Sequence, residues 1–150
     1  MANAATIDVK QQNLLAALRE FFKALLRDGG VHALLVPQRL PMKNVVMPAL
    51  VTDPEKLDGA DPLAPVFPIN AAKVVSKLTR RPVDGPIAVV LRPCEIRAFI
   101  ELVKLKQGRM EDVLLISMDC LGAYGNVNYP RFAGNDGEAS SLRFCEAALN

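Results

Sequence analysis

A run of five apolar residues, Ile87-Ala-Val-Val-Leu91, followed at once by Arg92-Pro93, places the tightest constraint on the fold. The run is rich in β-branched side chains, long enough for a strand buried on both faces and too short for a helix of ordinary length. Pro93 suits the first turn of a helix, where a missing N–H costs nothing. Ile96, Phe99, Ile100 and Val103 then recur at helical spacing, Lys104 and Lys106 put positive charge in the last turn, and Gly108 supplies a stop. Asp112 to Met118 forms a second apolar run. Pro86 to Tyr124 therefore reads as a β-α-β unit, with parallel strands at 87–91 and 113–118 joined by a helix from Cys94 to Gln107.

The remaining segments supply flanking layers. Leu14, Leu15, Leu18, Phe21, Phe22, Leu25 and Leu26 predict an amphipathic helix over 13–28, ended by Gly29-Gly30. Strands are expected at 31–36 and 44–52, the second bent or at an edge because of Pro48, with a turn at Gln38 to Lys43 that can make them a hairpin. Asp53 to Pro68 carries Pro54, Pro62, Pro65 and Pro68 and reads as a stiff loop, expected to pass the carboxyl rim of the sheet and cover part of a site there. Asn70 caps a helix running to Arg80, whose first turn offers free N–H groups and Lys73. Met1 to Lys10 reads as a loose end. Glycine, asparagine and serine dominate beyond Tyr124, so 125–150 is expected to be an irregular C-terminal arm on an α/β domain spanning 1–124. The fold class is a three-layer α/β arrangement around a central, at least partly parallel sheet.

Composition narrows the function classes. A 51% hydrophobic content suffices for a single core, and a net charge of +2 without clustered cations gives no reason to expect nucleic acid. No stretch approaches the ~18 apolar residues of a membrane span, and no basic segment leads into an apolar signal core, so a cytoplasmic chain is expected. His32, the only histidine, has no second ligand within sequence reach, which removes the usual triads and most zinc sites. Three cysteines make no disulfide framework.

Two of those cysteines fall where open α/β sheets bind ligands. Cys94 lies just past the carboxyl end of the first strand of the β-α-β unit and Cys120 just past the second, so neighbouring strands bring both to one rim. Cys94 also opens a helix, whose free N–H groups and positive dipole end favour an anion or a thiolate. Two small buried cysteines would look the same in sequence.

Leu91-Arg-Pro-Cys-Glu-Ile-Arg-Ala98, then Glu101-Leu-Val-Lys-Leu105 and Met118-Asp-Cys-Leu-Gly-Ala-Tyr124, resemble the coenzyme F-420 hydrogenase/dehydrogenase beta-subunit family, in particular its bacterial formate dehydrogenase or hydrogenase beta-subunit branch. Asp61-Pro-Leu-Ala-Pro65 and Asn70-Ala-Ala72 extend the likeness more loosely. The resemblance implies a flavin-bearing iron–sulfur subunit, with FAD, that passes electrons between a low-potential donor and partner subunits of an anaerobic complex. Use of a deazaflavin stays open. Cys94 is the redox candidate; Asn70, Lys73, Arg92, Pro93, Cys94, Glu95, Asp119 and Gly122 are the cofactor-binding candidates, the flavin diphosphate lying at the start of the Cys94 helix with Arg92 as counter-charge and Gly122 allowing close backbone approach. Cys94, Cys120 and Cys145 are the metal candidates. A four-iron cluster ordinarily takes four thiolates and no Cys-x-x-Cys is present, so a cluster needs a ligand from outside this chain. In the resembled family a cysteine-rich segment and a C-terminal half normally follow, so the chain reads as a short form or a front half. The competing readings are a non-catalytic α/β interaction or assembly subunit without a cluster, and a redox-sensing thiol protein using Cys94.

Overall fold

Ile87–Leu91 is buried along its whole length, as its composition requires, and the other elements are arranged about it. The computed structural model of the chain describes residues 6–9, 13–41, 45–82 and 84–150. Its strands are β1 (Ala33–Arg39), β2 (Val46–Val51), β3 (Ile87–Leu91) and β4 (Val113–Ser117), in the order β2-β1-β3-β4. β1 pairs with β2 antiparallel and with β3 parallel, and β3 pairs with β4 parallel, so the sheet is mixed and mostly parallel. Side chains alternate along β3. Ala88 and Val90 face the helix α1 (Leu14–Arg27) with Leu34 and Val36 of β1, while Ile87, Val89 and Leu91 face α2 (Ala71–Leu78) and α3 (Pro93–Lys104). Helices thus cover both faces, giving the three layers expected.

Local chemistry sets the boundaries. Asn13 caps α1 by accepting the Ala16 N–H at 2.9 Å, and Asn70 caps α2 by accepting that of Ala72 at 2.9 Å. β1 begins two residues later than expected and continues through Pro37, which lies opposite Pro48 of β2. The Leu40 N–H donates to the Val45 carbonyl, so hydrogen-bonded pairs alternate away from the Pro37–Pro48 pair, and both prolines stand where this ladder asks for no N–H. The expected start of the second strand at Asn44 and the end of the turn at Lys43 lie outside the described residues, as does most of the N-terminal segment. The stiff loop is not wholly extended: Pro54–Gly59 forms a 3₁₀ helix capped by Asp53 and pinned by Leu57, which is fully buried.

The segment 125–150 is not irregular. It forms α4 (Tyr129–Ala133) and α5 (Gly137–Leu149), the latter capped by Asp136, whose side chain accepts the Ala139 N–H at 3.0 Å. Its buried face is made of Gly137, Ser140, Ser141 and Cys145, small residues without an apolar period, which is why the pattern looked like loop. They pack on a buried polar group. Arg39, at the end of β1, is ion-paired with the fully buried Asp61, and its Nη2 lies 3.1 Å from the Tyr129 hydroxyl, while Ser141 donates to Asp61 at 2.9 Å. Burial works against the Arg39 charge, but hydrogen bonds to Asp61 and Tyr129 outweigh it and raise its pKa. A Cβ on Gly137 would overlap the Arg39 guanidinium.

Two stability outcomes follow from this packing. Phe99→Ala should cost about 3–5 kcal/mol in chemical denaturation, since Phe99 is fully buried between α3 and the sheet. Gly137→Ala should cost about 1–3 kcal/mol by displacing Arg39 from Asp61, and Arg39→Ala in the same background should add little further, because the two changes break one interaction.

Candidate functional site

The carboxyl ends of β1, β3 and β4 meet under the segment Pro62 to Ile69. Tyr124 donates its N–H to the Pro65 carbonyl at 2.7 Å, and Val66 forms a parallel bridge with Tyr124, so this part of the proline-rich loop runs across the rim. Below it lies a narrow apolar slot lined by Val36, Val90, Leu91, Phe67, Arg92 and Glu95 among others. A smaller, more polar cleft opens beside it between Leu63, Arg92, Asp119, Gly122, Phe144 and Cys145. Arg92 lines both.

Glu95 is occupied by the fold itself. It is 7% exposed, accepts the Ala71 N–H at 2.9 Å and accepts the Arg92 N–H at 3.1 Å. One carboxylate thereby satisfies a first N–H of α2 and the N–H of the residue preceding α3, and sets a fixed negative charge at the start of α3. Asn70, exposed, serves as the α2 cap, and Lys73 lies on the outer face of α2 in a separate groove with Ile69, Val74, Lys77 and Leu78.

Arg92 is the opposite case. Only 8% exposed, it places its guanidinium 3.3 Å from the Phe67 ring centroid and donates from Nη2 to the Ala64 carbonyl at 2.5 Å. Its Nη1 is buried with no hydrogen-bond partner, and among the described residues it has no ion pair within 4.0 Å. Burial pulls its pKa below the ordinary value, opposed by the fields of Cys120, Glu95, Cys94 and Asp61. A buried, unpaired guanidinium carries a large desolvation penalty, which an anion beside Nη1 would offset.

Cys94 and Cys120 are exposed and Cys145 is buried. Among the described residues no three His, Cys, Asp or Glu side chains are gathered as metal donors, so these three thiols do not by themselves fit an iron–sulfur cluster. Cys145 faces the packing of α5, whereas Cys94 opens α3 on the solvent side. Pro93 is half-buried at the first position of α3, and Asp119 is exposed at the cleft. Gly122 has φ 120°, a backbone reason for glycine, and a Cβ there would make only ordinary contact with Phe144 at 3.5 Å. What the sequence did not reveal is Phe67 under Arg92 and Phe144 beside it. An aromatic two positions past Pro65 in a loop that crosses the rim is the only signal the sequence holds for the first.

The fold and rim define an α/β domain with a carboxyl-edge site built around a buried arginine. No family model matches the chain. It is 28% identical over 106 residues to the F420-dependent formate dehydrogenase 1 subunit beta of Methanococcus maripaludis, covering 71% of this chain and 27% of that protein. It is likewise 28% identical over 111 residues to the F420-dependent formate dehydrogenase subunit beta of Methanocaldococcus jannaschii, covering 74% and 28%. The chain is thus similar to these beta subunits over about seven-tenths of its own length, and spans little more than a quarter of theirs.

Thiol chemistry should separate the three cysteines. Burial, with Glu146 adding to it, pushes the Cys145 pKa up, so its thiol stays protonated through neutral pH. Mass-spectrometric mapping after iodoacetamide at neutral pH should find Cys94 and Cys120 modified at least about tenfold faster than Cys145, with the gap closing on unfolding.

Proposed function

We propose that this chain is a subunit, or part of one, of a formate-dehydrogenase- or hydrogenase-type redox complex, working in a deazaflavin-related system and passing reducing equivalents between a low-potential donor and partner subunits. The observation that carries the proposal is Arg92: it stands in the segment that bears the family resemblance, and it is a nine-tenths-buried cation with an unpartnered Nη1 at the ligand-binding rim. The residues present fit the anionic part of a flavin-type nucleotide, FAD in the finer form of this reading. A flavin ring, when bound, interconverts hydride and single-electron transfer.

Each residue then has a definite task. Arg92 Nη1 supplies a charge-assisted hydrogen bond to a phosphate or carboxylate oxygen, and Phe67 holds the guanidinium plane in place from behind. Glu95 holds the starts of α2 and α3 in position without touching the ligand. Pro62 to Ile69 limits water at the rim. Cys94 and Cys120, exposed on that rim, are the thiols through which a redox partner or an external cluster ligand would act. The second reading, an interaction subunit without its own redox group, draws on the scattering of the three cysteines.

The complex purified anaerobically should show flavin absorption, and Arg92→Met should lower flavin content at least about tenfold while leaving the denaturation midpoint within about 1 kcal/mol or higher, since it removes an unpaired buried charge. Cys94→Ser should reduce electron transfer more than it reduces stability. Full flavin content in Arg92→Met would remove the arginine from the site, and a colourless wild-type complex would favour the interaction subunit.

A further inference from the structure

Two buried arginines grip one short turn from opposite ends. Asp61, Pro62, Leu63 and Ala64 follow the 3₁₀ helix, and the Ala64 N–H donates to the Asp61 carbonyl at 3.3 Å to close the turn. Proline in the second position fixes φ there, Pro65 does the same just beyond, and 61–67 contains no glycine, so this stretch has few ways to bend. At its start, the Asp61 side chain is ion-paired with Arg39 of β1 and accepts a hydrogen bond from the Ser141 hydroxyl of α5 at 2.9 Å. At its end, the Ala64 carbonyl accepts from Arg92 Nη2 at 2.5 Å, and Phe67, three residues on, carries the guanidinium on its ring. Both contacts that orient the Arg92 guanidinium therefore come from the proline-rich loop. The Asp61 N–H donates to the Pro37 carbonyl at 2.8 Å, which sets where the turn begins. A single hydrogen bond lets the turn roll about it, and the side-chain contacts of Asp61 remove that freedom.

We propose that the turn 61–64 transmits the seating of α5 to the rim, so that Ser141 and Arg39 are positioning residues for Arg92 and set how well its Nη1 meets a ligand oxygen. The inference rests on the reading of Arg92 as the cation of a flavin-type nucleotide site. A stiff turn passes a shift at Asp61 on to Ala64, where a flexible loop would absorb it. With one donor nitrogen unpartnered, a displacement of about 1 Å at the guanidinium weakens the bond it can offer.

The test titrates FAD into the flavin-free complex and follows amide hydrogen exchange in the chain itself. Ser141→Ala should raise the Kd for FAD at least about fivefold, yet change it less than about twofold in an Arg92→Met background, because the hydroxyl acts through Arg92. The Tyr124 amide, which donates to the Pro65 carbonyl, should exchange at least about tenfold faster relative to that of Ile87, which donates to Asp112 at the opposite rim of the sheet. Gly137→Ala, which moves Arg39 instead of the hydroxyl, should give the same pattern. An unchanged ratio of Tyr124 to Ile87 exchange in either variant overturns the transmission. So does an unaltered FAD affinity, and so does an equal loss of affinity with and without Arg92, which makes the effect one of general stability. In all three cases weaker FAD binding by Arg92→Met leaves the reading of the site standing. FAD binding undiminished in Arg92→Met, or absent from the wild-type complex, overturns that reading and the inference with it.

Discussion

The Glu95 carboxylate is the contact on which the geometry of the rim depends. By accepting from Ala71 and from Arg92 it fixes where α2 and α3 begin, and hence how both helices enter from the end of β3 and the strap before α2. Two helix starts that would otherwise repel one another across a buried gap share one anion. The same arrangement determines what is left for a ligand. Beside this carboxylate the charged donor at the rim is Arg92, turned onto Phe67 and held by Ala64. An acidic residue three places after the helix cap thus sets a fixed negative charge beside the one buried cation that lines the rim.

A second buried charge organises the far end of the chain. Arg39 and Asp61 form an ion pair that is satisfied only in part by the protein: Arg39 Nε and Nη1 and Asp61 Oδ1 have no partner. Breaking such a pair on one side leaves an uncompensated buried charge, which costs more than forming it gains. Ser141 and Tyr129 come to it from α5 and α4, and Gly137 is needed because the guanidinium fills the space a side chain would take. The C-terminal helices are therefore held by polar contacts with β1 and the proline-rich loop, together with the apolar group Val46, Ala64, Val66, Tyr129 and Ala133.

These two charge sites explain which parts of the structure were legible in the sequence. β3, α3 and β4 were readable because burial on two faces and helical periodicity are local signals, carried by neighbours in the chain. The α1 and α2 starts were readable because a cap is a matter of three residues. α5 was not, since its buried face consists of Gly137, Ser140, Ser141 and Cys145, and their partners Arg39 and Asp61 lie some 80 to 100 positions away in sequence. Asp136 followed by Glu138 was a usable start signal that the surrounding glycines and serines outweighed. At the rim, Arg92 and the two exposed cysteines follow from strand ends, whereas the Phe67 contact depends on the path of a loop that periodicity does not describe.

The same accounting links the rim to the edge. A parallel strand delivers its next residues to the carboxyl rim, so β4 is followed there by Asp119 and Cys120 as β3 is followed by Arg92 and Cys94. Pro48 of β2 blunts the other edge, which lies across the sheet from both exposed cysteines.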